Sequence, residues 1–368
     1  MDLTFPASGI LKRGRGLTFD DVLLVPRHSQ ISSRRDPSLK TRITRNYEID
    51  IPVVSANMDT ITESEMAIAM AKMGGLGILH RFLSTEEQVE QLKLIKKYIE
   101  DNKLNLPTAA SIGVKEEGIK RAEVLVDAGV NILTIDIAHG DSIMMFETLE
   151  KVKNKFPKID VIAGNVATAD GVRRMIDAGA DAVKVGIGPG SMCTTRIITG
   201  HGVPQLSAIA MSVEEAMKSG VPVIADGGIK NSGDIVKSLC AGASTVMLGS
   251  MLSGTLETPG EVKGGMKAYR GMASKDAQVS WRGELPEGMA AEGEATKIPC
   301  KGSVESVIHE ICGGIRSGMT YVGSETITAM TENALYIEMS ASGMSESRPH
   351  GVRSVSYTHL RAHETSRY

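Results

Sequence analysis

The amino-acid sequence predicts an α/β fold, a closed (β/α)8 or TIM barrel in a single domain. Two observations carry this. Eight short apolar runs end in small or polar residues, most of them starting about 20 to 40 residues apart, and each is followed by a stretch with helical periodicity. Apolar runs without alternation are what strands buried on both faces look like. Strand–helix units joined by short connections pack as a parallel sheet covered by helices. An open, doubly wound sheet is the alternative, and the number and even spacing of the runs favour closure.

In chain order the runs are VVSANM (Val53–Met58), GLGIL (Gly75–Leu79), AASIGV (Ala109–Val114) and ILTIDI (Ile132–Ile137), then VIAGN (Val161–Asn165), AVKVG (Ala182–Gly186), VIADG (Val223–Gly227) and VMLGS (Val246–Ser250). Between them lie amphipathic stretches. TEEQVEQLKLIKKYIE (Thr85–Glu100) predicts one helix, and EEGIKRAEVLVDAG (Glu116–Gly129) predicts another that ends at its glycine. Two connections are longer than the rest. One runs from Gly188 to about Met211, and the other from about Met251 to Pro299. Long loops at the carboxyl ends of barrel strands are where such folds keep their chemistry. The barrel domain is expected over residues 1–352. The polar, patternless stretch 353–368 reads as a disordered or foreign tail.

Composition excludes several classes. A net charge of -3 offers no basic stripe for nucleic acid, and KVKNKFPK (Lys151–Lys158) reads as a solvated helix face. The four cysteines show no CxxC spacing, which argues against a zinc site and for a reducing compartment. No stretch has the pattern of a signal peptide or a membrane span, so a cytoplasmic protein is expected. The 39 glycines suit a fold with many tight strand-to-helix loops.

Chemistry concentrates around Cys193, in GIGPGSMCTTR. A free cysteine is more often a small buried hydrophobe than a nucleophile. Here glycines and a proline precede it, Ser191 and two threonines flank it, and Arg196 follows. Such a loop exposes backbone N–H groups to an anion and holds sulfur within reach of a ligand. Cys240 and Cys312 sit inside helical patterns and read as core. After the seventh and eighth runs come Gly228, Gly249 and Ser250, in the place where barrels often bind phosphate. Asp226 ends a buried strand and is either a ligand-binding carboxylate or a helix cap; ribose binding is favoured. No GxGxxG follows the first strand, so no Rossmann dinucleotide site is expected. His80 and His139 lie just past strands, and neither alone identifies a reaction.

GIGPGSMCTTR resembles the active-site loop of the IMP dehydrogenase and GMP reductase family. SANMDT, AGNVAT, GVPQLSAI, ADGGI, YRGMAS and GGIRSGMTYVG follow the family's order, and the resemblance covers about Gly16 to Val352. It implies that Cys193 adds to C2 of a purine nucleotide. It also implies that Ser191, Gly228, Gly249, Ser250 and Tyr269 hold the phosphate, Asp226 the ribose, and that Met272 touches the base. Asp136 and Asn165 would line the nicotinamide side. Carbonyls of Gly188, Gly190 and Cys193 resemble a potassium site, and a homotetramer is expected.

The family divides into two reactions, and three features point to the reductase branch. The flap from Gly271 to Gly293 is short and contains no tyrosine, so the water-activating Arg-Tyr pair of the dehydrogenases is missing. AAEGEATKIP (Ala290–Pro299) resembles the reductase pattern and places Glu292 with Thr195 as a catalytic pair. No regulatory CBS module interrupts the chain between Leu94 and Ala110. The expected reaction is conversion of GMP to IMP and ammonia with NADPH, whose 2′-phosphate Arg81 or Lys115 would meet. Glu294 in place of the family lysine, the SRPHGV ending and GGLGILHRF depart from the reductase pattern. The alternatives are a dehydrogenase core that oxidises IMP with NAD, and a purine-nucleotide-binding barrel without turnover.

Overall fold

Each apolar run forms a strand in the computed structural model, which describes residues 3–347 except Pro286 and Met289. The strands are β1 (Val53–Ser55), β2 (Leu76–Leu79), β3 (Ala109–Ile112), β4 (Ile132–Asp136), β5 (Asp160–Val166), β6 (Ala182–Val185), β7 (Val223–Asp226) and β8 (Thr245–Leu248). Every neighbouring pair is parallel. β8 returns to β1 through Val246–Val53, Met247–Val54 and Leu248–Ser55, so the sheet closes and the open-sheet alternative falls. The expected tail, 353–368, lies outside the described residues.

The two-residue period of a strand sorts the side chains into two clusters. Val54, Ile78, Ala109, Ile132, Ile162, Ala182, Ile224 and Met247 share the barrel interior. Val53, Leu79, Ala110, Leu133, Val161, Val183, Val223 and Val246 belong to the layer that meets the helices. Those helices include α1 (Ser64–Lys72), α2 (Thr85–Asp101), α3 (Lys115–Asp127), α4 (Ile143–Lys155) and α5 (Ala169–Asp177). At the start of α2, Ser84 accepts from the Glu87 N–H at 3.1 Å while the Glu87 carboxylate accepts from the Ser84 N–H at 2.9 Å. This reciprocal cap satisfies two donors that a helix start leaves open.

Both long connections contain elements the sequence reading missed. In the first, a short α6 (Thr195–Thr199) is followed by α7 (Gln205–Ala216), which begins within what was read as loop. After β7 comes α8 (Ser232–Cys240). In the second connection, β9 (Met266–Arg270) pairs antiparallel with β10 (Ala295–Pro299), and α9 (Lys275–Arg282) lies between them. α10 (Val304–Val322) then completes the ring. The amino-terminal mouth of the barrel is plugged by a hairpin, Thr41–Arg42 with Glu48–Ile49, whose Ile43 and Ile49 join the interior cluster. Asp160 fixes it, accepting from Thr44 Oγ1 at 2.5 Å and from Asn46 Nδ2 at 2.8 Å. Thr4–Phe5, Tyr336–Glu338 and Val22–Leu24 form a small antiparallel sheet with the middle segment at its centre. All four cysteines are free, and no helix among the described residues is long and apolar enough to cross a membrane.

The closed interior makes a clear demand. Ile162 is fully buried there, and its truncation to Ala removes contacts that nothing can collapse to replace. A loss of about 2–5 kcal/mol is expected, read as a lower midpoint in urea denaturation; an unchanged midpoint would show that the interior repacks freely.

Candidate active site

The barrel brings four strands to one buried charge. Ala182 and Lys184 share a strand face, so Lys184 follows Ala182 into the interior, where it is 3% exposed. Its Nζ lies 2.8 Å from Asp136 Oδ1 at the end of β4 and 2.8 Å from Asp226 Oδ2 at the end of β7. It also bonds the Asn165 side-chain oxygen. Asn165 can reach this cluster because the β5–β6 register slips between Lys184 and Val185. Its amide donates to Gly186 O at 2.8 Å and to Asp226 Oδ2 at 2.9 Å. Burial pushes the Lys184 ammonium toward deprotonation, but the two carboxylates outweigh it and hold the group above its ordinary range. Burial also pushes the Asp136 carboxyl up, yet Lys184, with help from Arg81 and Asn57, holds it below the usual carboxylate value. Asp226 is therefore not a helix cap. That role at α8 belongs to Asn231, which accepts from the Asp234 N–H at 3.0 Å.

A cavity of about 410 Å³ opens above this cluster, at the carboxyl ends of the strands, and every site residue picked from the sequence but one lines it. Lys115, the alternative to Arg81, is not among the lining residues.

One side of the cavity suits an anion. Gly228 has φ +80°, and a Cβ there would stand 3.2 Å from Pro189, so the loop after β7 packs tightly on the Cys193 loop. Among the described residues the N–H groups of Ser191, Gly228, Gly249 and Ser250 donate to no protein acceptor. Unmet backbone donors grouped this way bind anions. The Tyr269 hydroxyl is 3.0 Å from Ser191 Oγ. Burial raises its pKa above the usual range, against the hydrogen bonds to Ser191 and Ser250, and so keeps it a neutral donor. Behind this loop Lys301 Nζ donates to Ser250 O at 3.0 Å.

On the other side sits the sulfur. The Cys193 thiol donates to Thr195 Oγ1 at 3.1 Å, and Thr195 Oγ1 donates to Glu292 Oε2 at 2.7 Å. The backbone holds the three in place: Thr194 N–H donates to Glu292 O at 3.1 Å, and Glu294 N–H to Met192 O at 2.9 Å. Gly293 lies between these bonds, and a Cβ on it would meet Met192 O and Ser274 N, each at 3.1 Å. A side chain there would force these segments apart by a few tenths of an ångström. Arg196 ties the loop back to the barrel, donating to Ile187 O at 3.1 Å and Val203 O at 2.6 Å.

The flap rests on the rim. Trp281 stacks on Phe82 with ring centroids 5.5 Å apart and planes 8° from parallel. Arg270 grips Asp59 through Nη2 at 2.6 Å and Nε at 3.0 Å. Met272 Sδ accepts the Asp59 N–H at 3.2 Å, and its carbonyl accepts from Gln278 Nε2 at 2.9 Å. Sequence reasoning missed Lys184 and Gln278, both of which line the cavity. Lys184 had a signal: a lysine inside a doubly buried strand must find a partner. His80 serves structure, with one ring nitrogen 3.2 Å from Glu63 Oε1 and the other accepting the Phe82 N–H at 3.1 Å. Among the described residues no cluster of three or more His, Cys, Asp or Glu is built to hold a metal ion.

A profile described as the IMP dehydrogenase / GMP reductase domain matches residues 16–350. Inosine-5'-monophosphate dehydrogenase of Cryptosporidium parvum is 42% identical, over 93% of this chain and 96% of that protein. GMP reductase of Leishmania donovani is 34% identical, over 92% of this chain and 97% of its own length. The crystal structure of a GMP reductase variant from Trypanosoma brucei, in complex with guanosine 5'-monophosphate, superposes with a TM-score of 0.86 at 32% identity. It covers 93% of this chain and 99% of that one. The chain belongs to the IMP dehydrogenase/GMP reductase family of oxidoreductases.

Thiol reactivity should follow this geometry. Burial raises the pKa of Cys240 and Cys312, whereas Cys193 lines an open cavity. Iodoacetamide is expected to alkylate Cys193 at least about tenfold faster than either, read by peptide mass spectrometry; equal rates would contradict the placement of the sulfur.

Proposed function

We propose that this chain is a GMP reductase, converting GMP to IMP and ammonia with NADPH through a covalent Cys193 adduct. The observation that carries the reading is the hydrogen-bonded line from Cys193 through Thr195 to Glu292. In this reading the unmet N–H groups of the Ser191, Gly228, Gly249 and Ser250 loops, with the Tyr269 hydroxyl, take the phosphate. Asp226 takes the ribose, and Met272 faces the base.

The direction of the two hydrogen bonds supplies a proton path. As Cys193 attacks C2, its proton passes to Thr195 and the Thr195 proton to Glu292. Glu292 then returns that proton through the Thr195 hydroxyl to the departing amine, so one S–C bond forms, one C–N bond breaks and ammonia departs. General acid–base catalysis by a placed carboxylate contributes about 10²–10⁴ in rate. NADPH, when bound, supplies the hydride that reduces C2. Cys193 then departs from C2 with the electrons of the C–S bond. Asp136, Asn165 and Arg81 line the same cavity as Cys193 and fit a nicotinamide cofactor beside it. Arg81 suits the 2′-phosphate of NADPH because a guanidinium pairs bidentately with phosphate oxygens. The carbonyls of Gly188, Gly190 and Cys193 would hold K+. Neutral oxygens on a glycine turn suit that ion, although Gly190 O also accepts the Cys193 N–H at 3.1 Å. A cytoplasmic homotetramer completes the proposal.

One observation favours the dehydrogenase instead. Arg282 lines the cavity from the flap and could activate water without a tyrosine partner, oxidising IMP with NAD. A paired assay separates the two. GMP with NADPH is expected to consume the reduced nicotinamide and release ammonia, while IMP with NAD stays flat. Formation of NADH and XMP from IMP would overturn the reductase reading. Cys193→Ala should lower turnover by at least about a thousandfold with GMP still bound; turnover that survives would exclude a covalent route.

A further inference from the structure

Lys184 has no part in the proton path, yet its ammonium occupies the floor of the cavity. It has three donors and no acceptor, and three acceptors from three strands meet it: Asp136 Oδ1, Asp226 Oδ2 and the Asn165 side-chain oxygen. Asn165 then donates to the same Asp226 Oδ2 at 2.9 Å. With two donors on Oδ2, the other Asp226 oxygen has no protein donor among the described residues. The side chain remains 22% exposed, so that oxygen is free for a ligand hydroxyl. Asp136 is fixed in the same way, between Lys184 and Asn57, and is 23% exposed. Two carboxylates share one cation, which leaves the trio one negative charge.

We propose that Lys184 is a positioning residue, which sets the orientation of Asp226 toward bound nucleotide and of Asp136 toward the nicotinamide side. This rests on the purine-nucleotide reading of the site. The charge is specific to its neighbours. Facing Asp136 are Lys184 from β6, Arg81 after β2 and Asn57 after β1. Facing Asp226 are Lys184, Asn165 and the neutral Tyr269. Arg81 alone remains to balance Asp136 when Lys184 is neutralised, so burial then favours the protonated acid. Arginine in place of Lys184 keeps the charge but presents a planar fork instead of a point, which changes the geometry offered to the three acceptors.

The test uses the whole chain with Lys184→Met and Lys184→Arg, GMP and IMP affinity being measured by titration calorimetry beside turnover. Lys184→Met is expected to bind GMP at least about tenfold more weakly near neutral pH. Lys184→Arg is expected to keep the nucleotide KM within about threefold while kcat falls by at least about thirtyfold. If Lys184→Met does not fold, the Lys184→Arg split decides. Wild-type affinity in Lys184→Met would overturn the proposal, as would a Lys184→Arg enzyme with normal kcat. A lower melting temperature with unchanged affinity would also overturn it, since that is a purely structural role. Wild-type protein that binds GMP but does not reduce it overturns the reductase reading alone, because the binding arm still reads Lys184. Wild-type protein that binds neither nucleotide overturns both.

Discussion

The site depends on a short antiparallel contact between two segments that are distant in sequence. Cys193 and Thr195 sit on the loop after β6, whereas Glu292 stands 97 residues beyond Thr195 on the returning limb of the flap. Two backbone hydrogen bonds, Thr194 to Glu292 and Glu294 to Met192, fix the register between them. A slip of one residue would turn Glu292 to the opposite face, because strand side chains alternate. Gly293 makes the approach sterically possible. The thiol, hydroxyl and carboxylate are thus aligned by backbone geometry.

The rest of the barrel holds still what this contact presents. Closure brings β4, β5, β6 and β7 close enough for one lysine to bridge carboxylates from two strands and an amide from a third. A buried ion pair of this kind is weak support for stability, because desolvation opposes the Coulomb gain. It is more informative as a device for fixing direction. The anion side of the cavity works with neutral groups instead, using backbone N–H donors and a phenol that burial keeps protonated. A nucleotide phosphate could thus bind without a side-chain cation competing with Lys184 for the carboxylates beneath it.

Much of this was legible in the sequence, and the rest was hidden for identifiable reasons. The eight barrel strands could be read because each lies in a mainly apolar run that ends on small or polar residues. The Cys193 loop could be read because its glycines and Ser191 mark an anion-binding turn. The floor plug at Thr41–Ile49 and the sheet joining Thr4–Phe5 to Tyr336–Glu338 escaped because segments of two or three residues carry no period. Lys184 escaped because it stood inside an apolar run, where a charge was read past. Asn165 was found, but not the β5–β6 register slip that aims it. The start of α7 at Gln205 was hidden by Gly202 and Pro204 just before it.

Sequence relatives carry both activities at comparable identity, so the choice between them falls on what the flap does to the adduct. The central claim is that Glu292, through Thr195, returns a proton to the leaving amine. The most direct measurement is ammonia release from GMP by Glu292→Gln, in which the Thr195 hydroxyl keeps an oxygen acceptor but the proton has nowhere to rest. The account predicts a fall of at least about a hundredfold in release rate with GMP affinity nearly unchanged. Release at the wild-type rate would contradict it.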